Sequence, residues 1–193
     1  MGGYYYFASQ LPAIFYGDVP PMSSVEFREL CAALLKPSDF ALVKYCTLDA
    51  DVVLETVATT GCAFIDEWLA RERNLRVSLA AFRSGKLHRS FSGDAPDEAS
   101  RSESAAAAFA MDDPLEAELF MDKARWDAVE LMAGIDYFDV NNIFSYLIKL
   151  QLLERKQLFK TEEGFSEYKA LYASIMDASR SVLNVDAAVT KLE

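Results

Sequence analysis

Histidine is almost missing from this chain: His88 is the one imidazole in 193 residues. A zinc site needs several His or Cys ligands, and a nucleophilic triad needs a His beside its nucleophile. Both would have to use this single side chain, which sits in a loop-like stretch between Gly85 and Ser90. Cysteine is scarce too. Cys31, Cys46 and Cys62 are odd in number, lack CxxC spacing and lie in apolar contexts. That excludes a disulfide framework and reads as three reduced core thiols. There is no GxSxG elbow and no GxGxxG, and Ser84-Gly85-Lys86-Leu87 lacks the spaced glycine and the hydroxyl residue of a P-loop. The Glu-x-x-His of a di-metal bundle is absent. No apolar run reaches the roughly 18–20 residues that span a bilayer, so no direct membrane insertion is expected. The opening MGGYYYFASQLPAIF has no basic leader and no small-residue cleavage site, and Tyr6 stands where a myristoylation signal wants Ser or Thr. The expected location is the cytoplasm. No catalytic, cofactor or metal residue is assigned.

Positive charge is also in short supply. The net charge is −11, which argues against nucleic acid and against an anionic membrane surface as partners. Its distribution is uneven. Residues 97–142 hold 3 basic and 12 acidic groups, while residues 71–89 carry Arg71, Arg73, Arg76, Arg83, Lys86 and Arg89 against Glu72 alone. The two regions either face each other in the fold, or one of them is a docking surface with steered association.

What the chain does have is helical signal. Ser23-Ser24-Val25-Glu26 reads as a capping box opening a helix that carries Phe27, Leu30, Cys31 and Leu34 and ends at Lys36-Pro37. Ser38 is read as the cap of a short helix with Phe40, Leu42 and Val43, and a further helix is expected over Asp49–Ala58. The strongest periodicity runs from about Cys62 to Ser84, with Phe64, Trp68, Leu75, Leu79 and Phe82 on one face and Gly85 as the stop. Asp113-Pro114 is a helix start, Asp as N-cap and Pro in the first turn, for a helix through Leu119, Phe120, Trp126 and Leu131 to Gly134. Asp139 caps a helix reaching about Phe159, and a last one holds Phe165, Tyr168, Leu171, Tyr172, Ile175 and Met176. Capping also accounts for the carboxylate pairs Asp49/Asp51 and Asp112/Asp113. A short strand at Tyr4–Phe7 is the one non-helical element considered. The fold class is all-α: a single helical domain over 1–193, built as a bundle of two related units, 1–90 and 105–193, joined by a polar linker around 91–104.

The two longest helices share a mark, an aromatic residue followed about two turns later by Glu-Arg. Phe64 precedes Glu72-Arg73, and Tyr146 precedes Glu154-Arg155; the register of 82 residues also pairs Ile65 with Leu147 and Trp68 with Leu150. Ile65, Leu69, Glu72 and Leu79 fall on one face with Arg76 interrupting, and Ile143, Leu147, Leu150, Glu154 and Leu158 fall on another. A half-buried carboxylate is costly unless paired, so Glu72, Arg76, Glu154 and Arg155 are the candidate structural ion pairs. Leu152 is placed on the polar side of its helix with Ser145, Lys149 and Lys156. With the aromatic N-terminus (Tyr4, Tyr5, Tyr6, Phe7, Phe15, Tyr16) it leaves room for a partner surface, although core burial of those rings is the simpler account.

The opening YYYFASQLPAIFYGDVPPMSSVEFRELC resembles the start of an uncharacterised bacterial family encoded beside V-type (A/V-type) ATPase genes. The stretches WLARERNLRVSLAAFRSGK and FSYLIKLQLLERKQLF resemble helices of the V-type ATPase C/d subunit family, in which a Tyr-led helix ends in a Glu-Ile-Arg-Asn-Leu-Arg type of pattern. Arg73, Asn74, Leu75 and Arg76 match that pattern; Glu154-Arg155 matches it in part, because Lys156-Gln157 replaces Asn-Leu. The chain is roughly two repeat units long where that family has three. The resemblance implies a non-catalytic accessory, structural or assembly component of a rotary ATPase, peripheral to the membrane through a complex, with V-type ATPase stalk or rotor subunits as partners. Arg73, Arg76 and Arg83 are the candidate docking residues. The alternative is a small helical ligand-binding protein or enzyme with a pocket between the units.

Overall fold

A computed structural model of the chain describes residues 3–56, 58–89, 101–159 and 164–176. Every regular element among them is helical: α1 (Tyr5–Gln10), α2 (Ser24–Leu34), α3 (Pro37–Phe40), a 3-10 turn (Val43–Tyr45), α4 (Ala50–Glu55), α5 (Ala63–Lys86), α6 (Glu103–Phe109), α7 (Pro114–Ala133), α8 (Val140–Gln157) and a helix over 164–176, α9. The class is all-α, as the periodicity requires. By its contacts the chain forms two compact units, Met1–Lys156 and Gln157–Glu193. Residues 91–100 of the polar linker lie outside the described residues.

Local chemistry sets many of the helix ends. Ser23 and Glu26 close the capping box in both directions, Ser23 Oγ accepting from the Glu26 backbone N–H and Glu26 accepting from the Ser23 N–H at 2.8 Å. Asp49 and Asp113 accept from the backbone N–H of Asp51 and Leu115, so these carboxylates satisfy orphan donors of α4 and α7. Ser102 caps α6 in the same way through the N–H of Ala105. Gly134 ends α7 at φ +72°, where a side chain would be strained.

Four local expectations are corrected. Tyr4–Phe7 is not a strand: α1 begins at Tyr5, and the Tyr4 N–H bonds to the carbonyl of Phe138 rather than to a sheet partner. Ser38 is not a cap; Lys36 holds that position and Pro37 takes the first turn, where its missing N–H costs nothing. The helix expected to reach Ala58 stops at Glu55. Gly85 does not stop α5, which runs on to Lys86, and the left-handed residue after it is His88 at φ +50°.

The main apolar cluster of the first unit draws on α1, α2, α4, α5, α7 and α8. Phe27, Val53, Ile65, Trp68, Trp126, Phe144, Leu147, Ile148 and Leu150 all belong to it. Phe7 and Tyr146 flank Phe27 with ring centroids 5.7 and 4.9 Å away, which fastens the N-terminal segment to α8. The α8 reading needs a further correction. Leu152 and Ser145, expected on a polar side, are buried, whereas Leu158, expected on the apolar face, is exposed beyond the helix end. Helix α8 is enclosed around most of its girth, so no single stripe describes it. A smaller cluster of Leu75, Leu79, Ala105, Ala108 and Met121 joins the C-terminal half of α5 to α6 and α7.

Candidate functional site

Between the two apolar clusters runs a chain of alternating charges. Helix α5 contributes Glu72 and Arg76, one turn apart. Helix α7 contributes Glu118, Asp122 and Arg125 on successive turns, and α8 contributes Arg155. Arg125 grips Glu72 with two bonds, Nε to Oε2 at 2.8 Å and Nη2 to Oε1 at 3.0 Å, and donates from Nη1 to Asp122 Oδ1 at 2.8 Å. Arg76 Nε meets Glu72 Oε1 at 2.7 Å, and its Nη2 donates to the carbonyl of Leu48 at 2.5 Å. At the other end Arg155 Nε reaches Asp122 Oδ2 at 3.1 Å, while Nη2 reaches Glu118 Oε2 at 2.6 Å. Three guanidinium groups alternate with three carboxylates, so the chain is neutral, although Glu72 and Asp122 are each 1% exposed at the side chain. Charges that deep are tolerated because every one has an opposite partner in good geometry.

The electrostatics follow from burial. Removal from water pushes the Asp122 carboxyl above its ordinary value; Arg155 and Arg125 pull it back without cancelling the rise. Burial alone would lower Arg125, but the Glu72 carboxylate outweighs it and holds the guanidinium charged. Among the described residues no three of His, Cys, Asp and Glu converge on a metal position. The arrangement ties α5, α7 and α8 together.

The residues singled out in the sequence take different roles. Glu72 and Arg76 pair with each other. Glu154 does not bond to an arginine: it accepts from the backbone N–H of Ser24 at 2.6 Å, in the first turn of α2, where a carboxylate also suits the helix dipole. Arg155 pairs with Asp122 and Glu118. Arg73 turns its Nη2 to the carbonyls of Val53, at 3.1 Å, and Thr56, closing the C-terminal end of α4. The echoed helices therefore agree through Ile65/Leu147 and Trp68/Leu150, all buried, and diverge at the Glu-Arg pair. Of the three docking candidates, Arg73 and Arg76 have guanidinium groups engaged inside the molecule, whereas Arg83 is exposed and forms no ion pair among the described residues. Asp122 and Arg125 were not anticipated. Their signal is faint but present: both lie within the buried run of α7 that also holds Met121, Trp126 and Val129.

Two cavities adjoin the network. One, of about 260 Å3, is lined by Arg76, Arg83, Arg125, Arg155 and Glu118 together with Leu79 and Met121. The other, of about 340 Å3, is walled largely by apolar groups including Leu87, Phe109 and Pro114, and shares Leu79, Arg83, Glu118 and Met121 with the first.

An all-helical scaffold tied by a buried Arg–carboxylate chain is thus the class that fold and site define. Residues 94–179 match the family described as "Protein of unknown function (DUF2764)". The matched stretch includes Glu118, Asp122, Arg125 and Arg155, three residues of α7 and one of α8. No curated protein and no solved structure matches the chain.

Proposed function

We propose that this chain is a non-catalytic accessory, structural or assembly component of a V-type rotary ATPase, working by docking onto stalk or rotor subunits. The supports are the resemblance of its opening and of its two long helices to proteins of that system, and one structural observation. At the turn between α7 and α8 the chain turns large apolar side chains outward: Leu131 and Tyr137 are exposed and Ile135 is 95% exposed. Tyr5 stacks on Phe138 beside them with centroids 4.2 Å apart, itself exposed, as is Tyr6. Single exposed apolar residues are ordinary; several together on one turn mark a contact surface. Asp136 and Asp139 lie in the same turn, while Glu130 is paired with Lys149, so the partner this patch suits is a basic surface with an apolar centre.

The test is affinity purification of the tagged chain from gently solubilised membranes of its native host, comparing wild type with the double substitution Ile135→Asp and Tyr137→Asp. Recovery of stalk or rotor subunits by wild type and their loss with the variant supports the reading. Absence of every ATPase component from the wild-type eluate overturns it. Arg83→Glu is the clean probe of the alternative basic face, because reversing Arg73 or Arg76 would also break bonds inside the fold. Docking that Arg83→Glu abolishes and the double variant leaves intact would move the contact surface to α5.

A further inference from the structure

The Arg-lined cavity is electrostatically unusual for this molecule. Among the described residues its wall presents four guanidinium groups and one carboxylate, Glu118, in a chain whose net charge is −11. The carboxylates that balance Arg125, Glu72 and Asp122, do not line the cavity; they are packed behind the guanidinium. Arg83 adds a charge that no carboxylate among the described residues answers. Arg76, Arg125 and Arg155 are balanced within the network, so Arg83 supplies the net positive charge at this wall, and fixed guanidinium donors around a concave space favour an anion. Glu118 already shows what such an anion would do: its carboxylate sits on Arg155 at 2.6 Å while remaining 31% exposed, so it can yield to a competitor.

The neighbouring cavity is largely apolar. It shares Leu79, Arg83, Glu118 and Met121 with the first, and its other walls include Lys86 beside Leu87, Phe109 and Pro114. A compact inorganic anion would leave that apolar space empty, and a neutral apolar molecule would leave the arginines unanswered. We infer that the two adjoining cavities together bind an amphipathic anion, a molecule with a phosphate or carboxylate head and an apolar body. The head lies among Arg76, Arg83 and Arg155 in place of the Glu118 carboxylate, and the body lies against Leu79, Phe109 and Met121. The inference does not depend on the rotary-ATPase reading, since it concerns a small-molecule ligand and not the apolar patch at the α7–α8 turn.

Octyl phosphate, inorganic phosphate and octanol, titrated calorimetrically into the full chain below micelle-forming concentrations, separate the contributions. Octyl phosphate is expected to bind, inorganic phosphate to bind more weakly, and octanol not to bind. Arg83→Ala, at an exposed position, is expected to leave thermal unfolding unchanged and to weaken octyl phosphate about tenfold, the scale of one lost charge-assisted hydrogen bond. Glu118→Gln removes the internal competitor and is expected to tighten it. Ala117→Leu narrows the apolar cavity and is expected to reduce octyl phosphate to the affinity of inorganic phosphate. Phosphatidylcholine vesicles carrying phosphatidic acid identify the source: sedimentation of wild type but not of Arg83→Ala places the ligand in a membrane, and no sedimentation while octyl phosphate binds places it in solution. Octanol binding as well as octyl phosphate, no binding of octyl phosphate, or an unchanged affinity in Arg83→Ala would each overturn the assignment.

Discussion

Arg125 and Glu72, 53 residues apart in sequence, form a bidentate pair in which the carboxylate is 1% and the guanidinium 8% exposed. This pair ties α5 to α7. Its value for the fold lies less in attraction than in mutual need, since neither group tolerates that depth without the other. Glu72→Ala leaves both Arg125 and Arg76 short of a partner. It is expected to destabilise the first unit by about 3–5 kcal/mol in urea unfolding. A loss below about 1 kcal/mol would mean that Arg125 finds Asp122 sufficient.

Helix α8 gives a second test, of burial rather than charge. Leu152 is 1% exposed and Leu131 is 78% exposed. Leu152→Ala is expected to cost about 2–5 kcal/mol, whereas Leu131→Ala is expected to stay within about 0.5 kcal/mol. Equal costs measured by denaturant unfolding would refute the enclosed placement of α8.

Ser145 is fully buried, and its hydroxyl finds no hydrogen-bond partner among the described residues. An unanswered buried hydroxyl is a standing cost. Ser145→Ala is therefore expected to leave stability unchanged or raise it by about 1 kcal/mol. A clear loss in thermal unfolding would show that the hydroxyl is satisfied after all.

The three thiols should separate kinetically. Burial pushes Cys31 up to about 12 and Cys46 well above the usual thiol value, against a smaller opposing pull from Arg28 in each case. Cys62 is partly exposed at the start of α5. A thiol reagent is expected to modify Cys62 in the native protein and Cys31 and Cys46 only on unfolding, so native Cys62→Ser should be silent. Peptide mapping that finds Cys46 modified as fast as Cys62 would contradict the packing.

Acid should expose one of the small polar clasps. Thr60 donates to Asp66 from its backbone N–H at 2.7 Å and from its hydroxyl at 2.8 Å, and these bonds hold the carboxyl below its ordinary value. A depressed folded value means that the ionised form is favoured by folding. Its stabilisation is present above the unfolded carboxyl's pKa, about 3.9, and drains as the pH falls through the lower folded value. The stability gap between wild type and Asp66→Asn is expected to be widest near neutrality and to close in strong acid. A gap constant with pH would rule out the clasp.

How much of this was legible in the residues depended on the range of the chemistry. The capping box at Ser23–Glu26 and the Asp113-Pro114 start are written in four or fewer consecutive residues, and both form as read. Glu72 with Arg76 is also local, one helical turn. Arg125 on Glu72 and Asp122 on Arg155 join different helices, and no spacing rule connects such positions. Leu152 misled for the opposite reason. Period analysis assumes one wet face, and α8 is covered on most sides, so a residue opposite the expected stripe is as dry as one within it. Tyr4–Phe7 has the aromatic density of a strand, yet without neighbouring strands to pair with it the segment coils and packs on Phe27 and Phe138.

Both tryptophans sit in the first unit's main apolar cluster. Trp68 gives its indole N–H to the carbonyl of Thr47 at 3.3 Å, and Trp126 lies beneath the ammonium of Lys149. Residues 157–193 contain no tryptophan. Indole emission therefore arises from the first unit alone, whereas far-ultraviolet dichroism sums the helices of both. A melt in which ellipticity falls while the emission colour holds would register the loss of α9 by itself, without a label anywhere on the chain.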